Sequence, residues 1–306
     1  MNEYVSLILG VVCAGIGGEL FVRGTVGLGH WLRISPGIIG ATVAAFATSS
    51  PELSVSVNAA LAGSPQIGLG DSLGSNVVNV ALILALALVI SGIQTTRDSV
   101  KRDFPAALLV PVITGVLLLD GKLSRIDGFL MLGTFIVWLI AAVIEARKQQ
   151  SAADEVFGEH RWWLIILSCI FGLAFLVVAG NLIVAGAEKL AISFGVDNFV
   201  IGATVVAAGT SVPEFATTVI ARLRGHDELS LGTILGSNIF NGFFIISVLV
   251  IIHPVTVAWN EVAIALVFGF VALVFTYPNR LGFIERRRGV LLLVLYAAYL
   301  TAILQW

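Results

Sequence analysis

Gly40-Ala-Thr-Val-Ala-Ala-Phe-Ala-Thr-Ser-Ser-Pro-Glu52 is followed, twenty residues later, by Leu73-Gly-Ser-Asn-Val-Val-Asn79. The same pair returns as Gly202-Ala-Thr-Val-Val-Ala-Ala-Gly-Thr-Ser-Val-Pro-Glu214 and Leu235-Gly-Ser-Asn-Ile-Phe-Asn241. The offset is 162 residues throughout, and 20 of the 40 positions from Gly40 to Asn79 are identical in the second copy. Each copy sets one carboxylate, several hydroxyls and a carboxamide into an otherwise apolar chain. Polar groups of this kind are expensive in hydrocarbon and persist where they face a protein interior or a wet cavity.

Composition gives the solvent around this repeat. Of 306 residues, 58% are apolar and 12% charged, with a mean hydropathy of +1.01. That is too little charge for the surface of a soluble protein of this size. Apolar runs of about the length that spans a bilayer recur along the chain. They fall at 4–28, 36–63, 68–92, 104–120, 127–145, 162–184, 198–222, 229–252, 257–277 and 288–305. The expected fold is an all-α membrane protein with ten transmembrane helices. Only Asn2 and Glu3 precede the first run as polar residues, so the basic start of a cleavable leader is missing. Cys13 and Cys169 lie inside apolar runs without metal-type spacing and read as buried free thiols.

Charge sets the direction of the chain. All Lys and Arg except Lys122, Arg125 and Lys189 fall in or beside the loops after spans 1, 3, 5, 7 and 9. Basic loops stay cytoplasmic, which puts both termini on the extracellular side, in what reads as a prokaryotic plasma membrane. Trp31, Trp162, Trp163, Trp259 and Trp306 stand near span ends, as interfacial aromatics do. Each half of the chain holds five spans. An odd number makes the second copy cross in the opposite sense, giving two inverted repeats around a shared mid-membrane site. The expected division is residues 1–145, with the motif at 40–79; a cytoplasmic linker at 146–161; and residues 162–306, with the motif at 202–241.

The chemistry follows from Pro51 and Pro213. A proline inside a helix donates no hydrogen bond and crowds the carbonyl one turn earlier. Both helices should kink and leave carbonyls near Ala45–Thr48, and near Gly209, partly free. Freed carbonyls, Thr and Ser hydroxyls and a carboxylate form an all-oxygen set suited to hard cations such as Ca²⁺ and Na⁺. Ser75 and Asn79, like Ser237 and Asn241, are four apart and share a helix face. Gly70, Gly74, Gly232 and Gly236 permit close helix approach. Each feature has a plainer meaning. Thr-Ser-x-Pro is often a simple kink with hydroxyls bonded back to the helix, and small-residue motifs are often packing devices. Two symmetric glutamates, each costing roughly 2.5–3.5 kcal/mol at mid-membrane, favour a cation site instead.

Other charges read as structural. Glu19 precedes Arg23 by four residues and forms an intrahelical pair. Asp71 opens the third span, where it complements the helix N-terminus; it shares a face with Ser75 and would line an access path. His30, His160, His226 and His253 lie at span ends or in loops. No nucleophile elbow or phosphate loop occurs, so no enzyme, catalytic residue or cofactor is expected, and no protein or nucleic-acid partner.

The paired segments resemble the α-repeats of the cation/Ca²⁺ exchanger superfamily, and most of all prokaryotic sodium/calcium exchangers. The resemblance rests on Thr-Ser-x-Pro-Glu and Gly-Ser-Asn-x-x-Asn, each in two copies over about 80 residues. It implies an antiporter that exchanges Na⁺ for Ca²⁺ by alternating access, with helices 1 and 6 sliding across the other eight. It further implies that Glu52 and Glu214 bind Ca²⁺ and compete for Na⁺, with oxygen from Thr48 and Thr210. Ser49, Ser211, Ser75, Ser237 and the carbonyls of Ala45 and Ala207 would serve flanking Na⁺ positions, and Asn79 and Asn241 would line the centre. Three positions depart from the family pattern: Ala47 replaces Gly, Ser50 replaces an apolar residue, and Asn241 stands where some members carry Asp. Central charge is then expected from two carboxylates rather than three. An H⁺/Ca²⁺ antiporter using the same glutamates is the alternative. A cation channel and a purely structural membrane protein are the remaining competitors.

Overall fold

The computed structural model describes residues 3–97, 99–152, 162–193, 200 and 202–305. Within them the chain forms ten helical rods: α1 (Glu3–Leu32), α2a and α2b (Pro36–Thr48 and Ser50–Leu61), α3 (Pro65–Ile90), α4 (Phe104–Leu117), α5 (Arg125–Ala152), α6 (Trp162–Ser193), α7a and α7b (202–210 and Val212–Leu223), α8 (Asp227–Ile252), α9 (Trp259–Thr276) and α10 (Arg286–Leu304). By length and composition alone, five of these reach membrane-crossing size, and six with the bent α2 pair counted as one span.

Burial separates the rods. The apolar cores of α3 and α8 are 78% and 83% buried, whereas that of α6 is 17% buried. A helix apolar all round and wrapped on all sides is a central one, and a helix that shows apolar side chains outward faces lipid. Val137 and Ile140 on α5, and Leu291 and Val294 on α10, are among the outward-facing residues. Both cysteines are free but half-buried rather than fully buried. Cys169 packs on Gly24, where α6 lies along α1.

The inverted repeat is visible in small details. α2b and α7b end in matched turns, with Gly63 at φ 76° and Gly225 at φ 80°. After each glycine the next amide reaches back five residues, Ser64 to the Ala59 carbonyl at 2.9 Å and His226 to the Ala221 carbonyl at 2.8 Å. These left-handed glycine caps stop one helix and launch the next. Strand β1 (Ile93–Gln94) pairs with β4 (Phe283–Ile284), and β2 (Lys122–Leu123) pairs with β3 (Val255–Thr256). Residue 93 maps onto 255 by the repeat offset, so the two clips are copies of one another. Each fastens a loop of one half to a loop of the other.

The two halves also cross tightly at their centres. A Cβ on Gly74 of α3 would stand 2.4 Å from the Ala203 carbonyl, and one on Gly236 of α8 would stand 2.2 Å from that of Ala41. Only the missing side chain lets backbone meet backbone there. α3 therefore rides on the start of α7, and α8 on the start of α2.

Three boundaries depart from the expectation. α5 continues to Ala152, because Glu145-Ala-Arg-Lys-Gln-Gln is made of good helix formers. The first part of the expected linker is thus helical, and its residues 153–161 lie outside the described region, as does Trp306. α6 runs to Ser193 rather than 184. α3 starts at Pro65, where proline at the first helical position leaves no orphan donor. Asp71 is consequently two turns inside the helix and not at its opening.

Candidate cation site

Both signature prolines bend their helices as expected. α2a and α2b meet at 43°, and Ser49 and Ser211 leave helical geometry with ψ of 11° and 8°. A π-helical segment precedes each break, at Gly40–Ala44 and Gly202–Val206, and others lie at Val78–Leu84 and Phe240–Ile245. One extra residue per turn re-aims the side chains that follow, a common device at functional sites. It places Asn79 and Asn241 within the rewound stretches.

The carbonyls near the break are less open than expected. Ala47, which loses its amide partner to Pro51, is met by Ser50 Oγ at 2.8 Å. Ala45 accepts the Ser49 amide at 3.0 Å and lies 3.4 Å from Thr48 Oγ1. Thr48 Oγ1 also lies 3.0 Å from the Ala44 carbonyl. The second copy has Val212 in place of Ser50 and so carries no matching hydroxyl for Gly209.

The two breaks face each other across the pseudo-two-fold axis. Ser49 Oγ donates to Glu214 Oε1 at 2.8 Å, and Ser211 Oγ donates to Glu52 Oε1 at 3.4 Å. Ser237 Oγ adds a bond to Glu214 Oε1 at 3.1 Å. Its mate Ser75 turns instead to the Ala207 carbonyl at 3.4 Å and to Thr210 Oγ1 at 3.5 Å. The Thr48 hydroxyl also faces Glu214, and that of Thr210 faces Glu52. Glu52, Glu214, Thr48, Ser49, Ser75, Ser237, Asn79 and Asn241 are all fully buried, and Thr210, Ser211, Ala45 and Ala207 nearly so. All twelve sequence-predicted residues are thus buried, and contacts link ten of them around the glutamate pair, Asn79 and Asn241 being the two outside that network.

Two roles differ from the expectation. Asn79 Nδ2 is spent on Asn238 Oδ1 at 3.0 Å, which leaves its Oδ1 without a partner, and both side-chain polar atoms of Asn241 have none. More important, Asp71 is fully buried, and Thr210 Oγ1 lies 3.0 Å from its Oδ1. Glu52 is within electrostatic reach of Glu214 and Asp71 together. The centre thus has three carboxylates, not two. The residue that the repeat maps onto Asp71 is Thr233, which only caps the Leu229 carbonyl of its own helix at 2.8 Å.

Sequence reading also missed the amide clasp on the symmetry axis. Asn76 Nδ2 donates to the Asn238 carbonyl at 3.2 Å, and Asn238 Nδ2 donates to the Asn76 carbonyl at 3.1 Å. The signal was present, since the two positions are 162 apart and both asparagine.

The electrostatic balance is one-sided. Glu52 Oε2, Glu214 Oε2 and Asp71 Oδ2 are buried without a hydrogen-bond partner. Among the described residues the ion pairs are Arg23–Glu19, Arg102–Asp103, Arg222–Asp227, Arg224–Glu19 and Arg287–Glu285, none of which reaches the site. A buried carboxylate needs a basic partner, a metal ion or a proton. No three His, Cys, Asp or Glu groups among the described residues converge on a single metal position. A cation here must draw on a mixed set of carboxylate, hydroxyl, carbonyl and carboxamide oxygens, which suits large hard ions.

A family model described as "Sodium/calcium exchanger protein" matches residues 3–144 and 164–305. The inner membrane protein YrbG of Escherichia coli (strain K12) is 33% identical over 81% of this chain and 79% of its own length. The sodium/calcium exchanger MaX1 of Methanosarcina acetivorans is 27% identical over 98% of both chains. Among solved structures, the sodium-calcium exchanger NCX_Mj, soaked with Na⁺ and Sr²⁺, superposes with a TM-score of 0.82 at 30% identity over 98% of each chain.

Proposed function

Since this chain belongs to the sodium/calcium exchanger family, we propose that it is a membrane antiporter, not an enzyme, in which Na⁺ and Ca²⁺ compete for the oxygens around Glu52 and Glu214. The observation that carries the reading is the pair of unpartnered, fully buried Oε2 atoms on those glutamates, with no ion pair to them among the described residues.

Competition follows from charge. Carboxylates that hold a divalent ion cannot hold monovalent ions at the same oxygens, so loading one cargo expels the other. Thr48, Thr210, Ser49, Ser211, Ser75, Ser237, Asn79, Asn241 and the carbonyls of Ala45 and Ala207 complete the shells of the ions in transit. Inverted halves support alternating access, because each can present the central site to its own face. In this cycle α1 and α6 slide as one element past the other eight rods. They lie side by side, with Gly17 against the Gly172 carbonyl, and carry none of the twelve candidate site residues. The distribution of Lys and Arg supports a cytoplasmic position for the 146–161 connection and extracellular termini.

The test is ⁴⁵Ca²⁺ uptake into proteoliposomes holding the full chain, driven by an outward Na⁺ gradient or by a pH gradient. Uptake driven by Na⁺ and lost in Glu214→Gln is the expected result. Uptake driven by pH alone would make the same glutamates proton carriers, and no response to either gradient would end the antiporter reading.

A further inference from the structure

We propose that Glu19 and Arg224 form a one-sided latch, a charge clasp that holds α1 against α7b and sets the conformation in which the unloaded protein rests. The inference deepens the antiporter reading and rests on its sliding element.

Glu19 stands on α1, and Arg224 follows the last residue of α7b. Arg224 grips the carboxylate at two points, Nη2 to Oε1 at 2.6 Å and Nε to Oε2 at 3.2 Å. Arg23, one turn along α1, adds Nε to Oε1 at 2.6 Å. The intrahelical pair expected from the sequence is therefore half of the cluster, and the other half crosses to a rod that stays behind when α1 slides. Beside the clasp, Gly18 seats α1 so closely that a Cβ there would lie 2.5 Å from Ile220 Cδ1 and 3.1 Å from Ala216 Cβ. These contacts run from 216 to 224, so α1 lies along the stretch of α7b between Glu214 and the end of that helix. It cannot leave this seat without parting the charges.

A lone exposed ion pair contributes little. Here the two-point arginine–carboxylate geometry fixes direction as well as distance, and one acid serves two bases. Without Glu19, neither Arg23 nor Arg224 has another acid paired with it among the described residues, and attraction between the rods turns to repulsion.

The clasp has no twin. The repeat offset carries Glu19, Arg23 and Arg224 to Asn181, Ala185 and Ala62, none of which is charged. Two matched latches would hold both faces alike and leave the balance between states unmoved. A single latch shifts it, because only one state keeps the bond. The distribution of Lys and Arg assigns the end of α7b to the cytoplasmic face, so the resting protein is closed on that side.

The experiment uses the full chain with Cys13 and Cys169 replaced by alanine and spin labels on His30→Cys of α1 and Leu223→Cys of α7b, both exposed positions. Pulsed electron paramagnetic resonance in lipid nanodiscs reads the distance between the two rods without ions, with Na⁺ and with Ca²⁺. Without ions the short distance should dominate. Glu19→Gln and Arg224→Gln should each raise the longer-distance population roughly 2- to 5-fold. Arg23→Gln, which removes only the partner on the same helix, should not, and the charge swap of Glu19→Arg with Arg224→Glu should restore the short distance. Populations unchanged in Glu19→Gln and Arg224→Gln, or shifted equally by Arg23→Gln, would overturn the latch. One fixed distance in every variant and every ion would overturn it too, as would loss of fold in both single variants. ⁴⁵Ca²⁺ uptake by the same proteins tests the antiporter reading separately, and uptake that ignores Na⁺ would sink that reading whatever the distances show.

Discussion

Ser49 and Glu214, 165 residues apart in sequence, are joined by a 2.8 Å hydrogen bond, whereas the pair that the repeat maps onto them, Ser211 and Glu52, stands at 3.4 Å. Matched sequence has produced unequal contacts, so the two halves should respond unequally to the same substitution. A hydrogen bond to a charged group contributes about 1.5–3 kcal/mol, so Ser49→Ala should weaken Ca²⁺ binding by roughly 10-fold or more. Ser211→Ala, which breaks the longer contact, should weaken it by less than about 5-fold. Calcium titrations of purified protein measure both, and equal effects would mean that the two bonds are equivalent in the working protein.

Glu214 carries bonds from Ser49 and Ser237, and Glu52 a single long one from Ser211. Removing one partner of a buried charge pair costs about 3–5 kcal/mol, so Glu52→Gln and Glu214→Gln should each cut Na⁺-driven ⁴⁵Ca²⁺ flux by about 100-fold or more. The proteins should still fold, since glutamine fills the same space. Transport retained in either variant would remove that glutamate from the ion path.

Asn238 is the keystone of the amide clasp. It donates to the Asn76 carbonyl and accepts from Asn79 through one side chain. Asn238→Ala leaves those two buried groups unpaired, at about 1–3 kcal/mol each, and should lower the thermal transition by several degrees. An unchanged melting profile in detergent would show that the clasp contributes nothing net.

The crossing glycines give the sharpest stability test. Gly74→Ala and Gly236→Ala press a methyl group onto backbone carbonyls at 2.4 and 2.2 Å, and neither carbonyl can rotate away. Each should destabilise by about 1–3 kcal/mol or more. Gly133 on α5 has nothing within 4 Å, so Gly133→Ala should be neutral or slightly stabilising. Transition temperatures of the three variants check this, and a well-tolerated Gly236→Ala would mean that the two rods separate freely.

The ten rods were readable from hydropathy because the bilayer demands a fixed length of apolar chain, and their inversion was readable from an odd count between two copies of one motif. The glutamate pair was readable because its polarity is out of place. Asp71 was misjudged because its depth depends on where α3 begins. Pro65 starts the helix earlier than hydropathy marks, and Ser64, Pro65 and Gln66 look like loop. The clasp was missed because Gly-Ser-Asn marks the position of an amide but not its partner, and that partner sits in the other half. The four π-helical segments around the motifs leave no compositional trace, since each differs from α-helix by one residue per turn.

The two strand clips fasten opposite halves at both faces, and Gly74 and Gly236 seat each half's third rod on the other's second. Neither five-helix unit holds the whole buried polar cluster by itself. A gene encoding one unit alone could have made a working protein only if its product entered the membrane both ways up and paired head to foot. Once fused, the copies were free to diverge, and aspartate at position 71 where the other copy has threonine at 233 is what such divergence leaves behind.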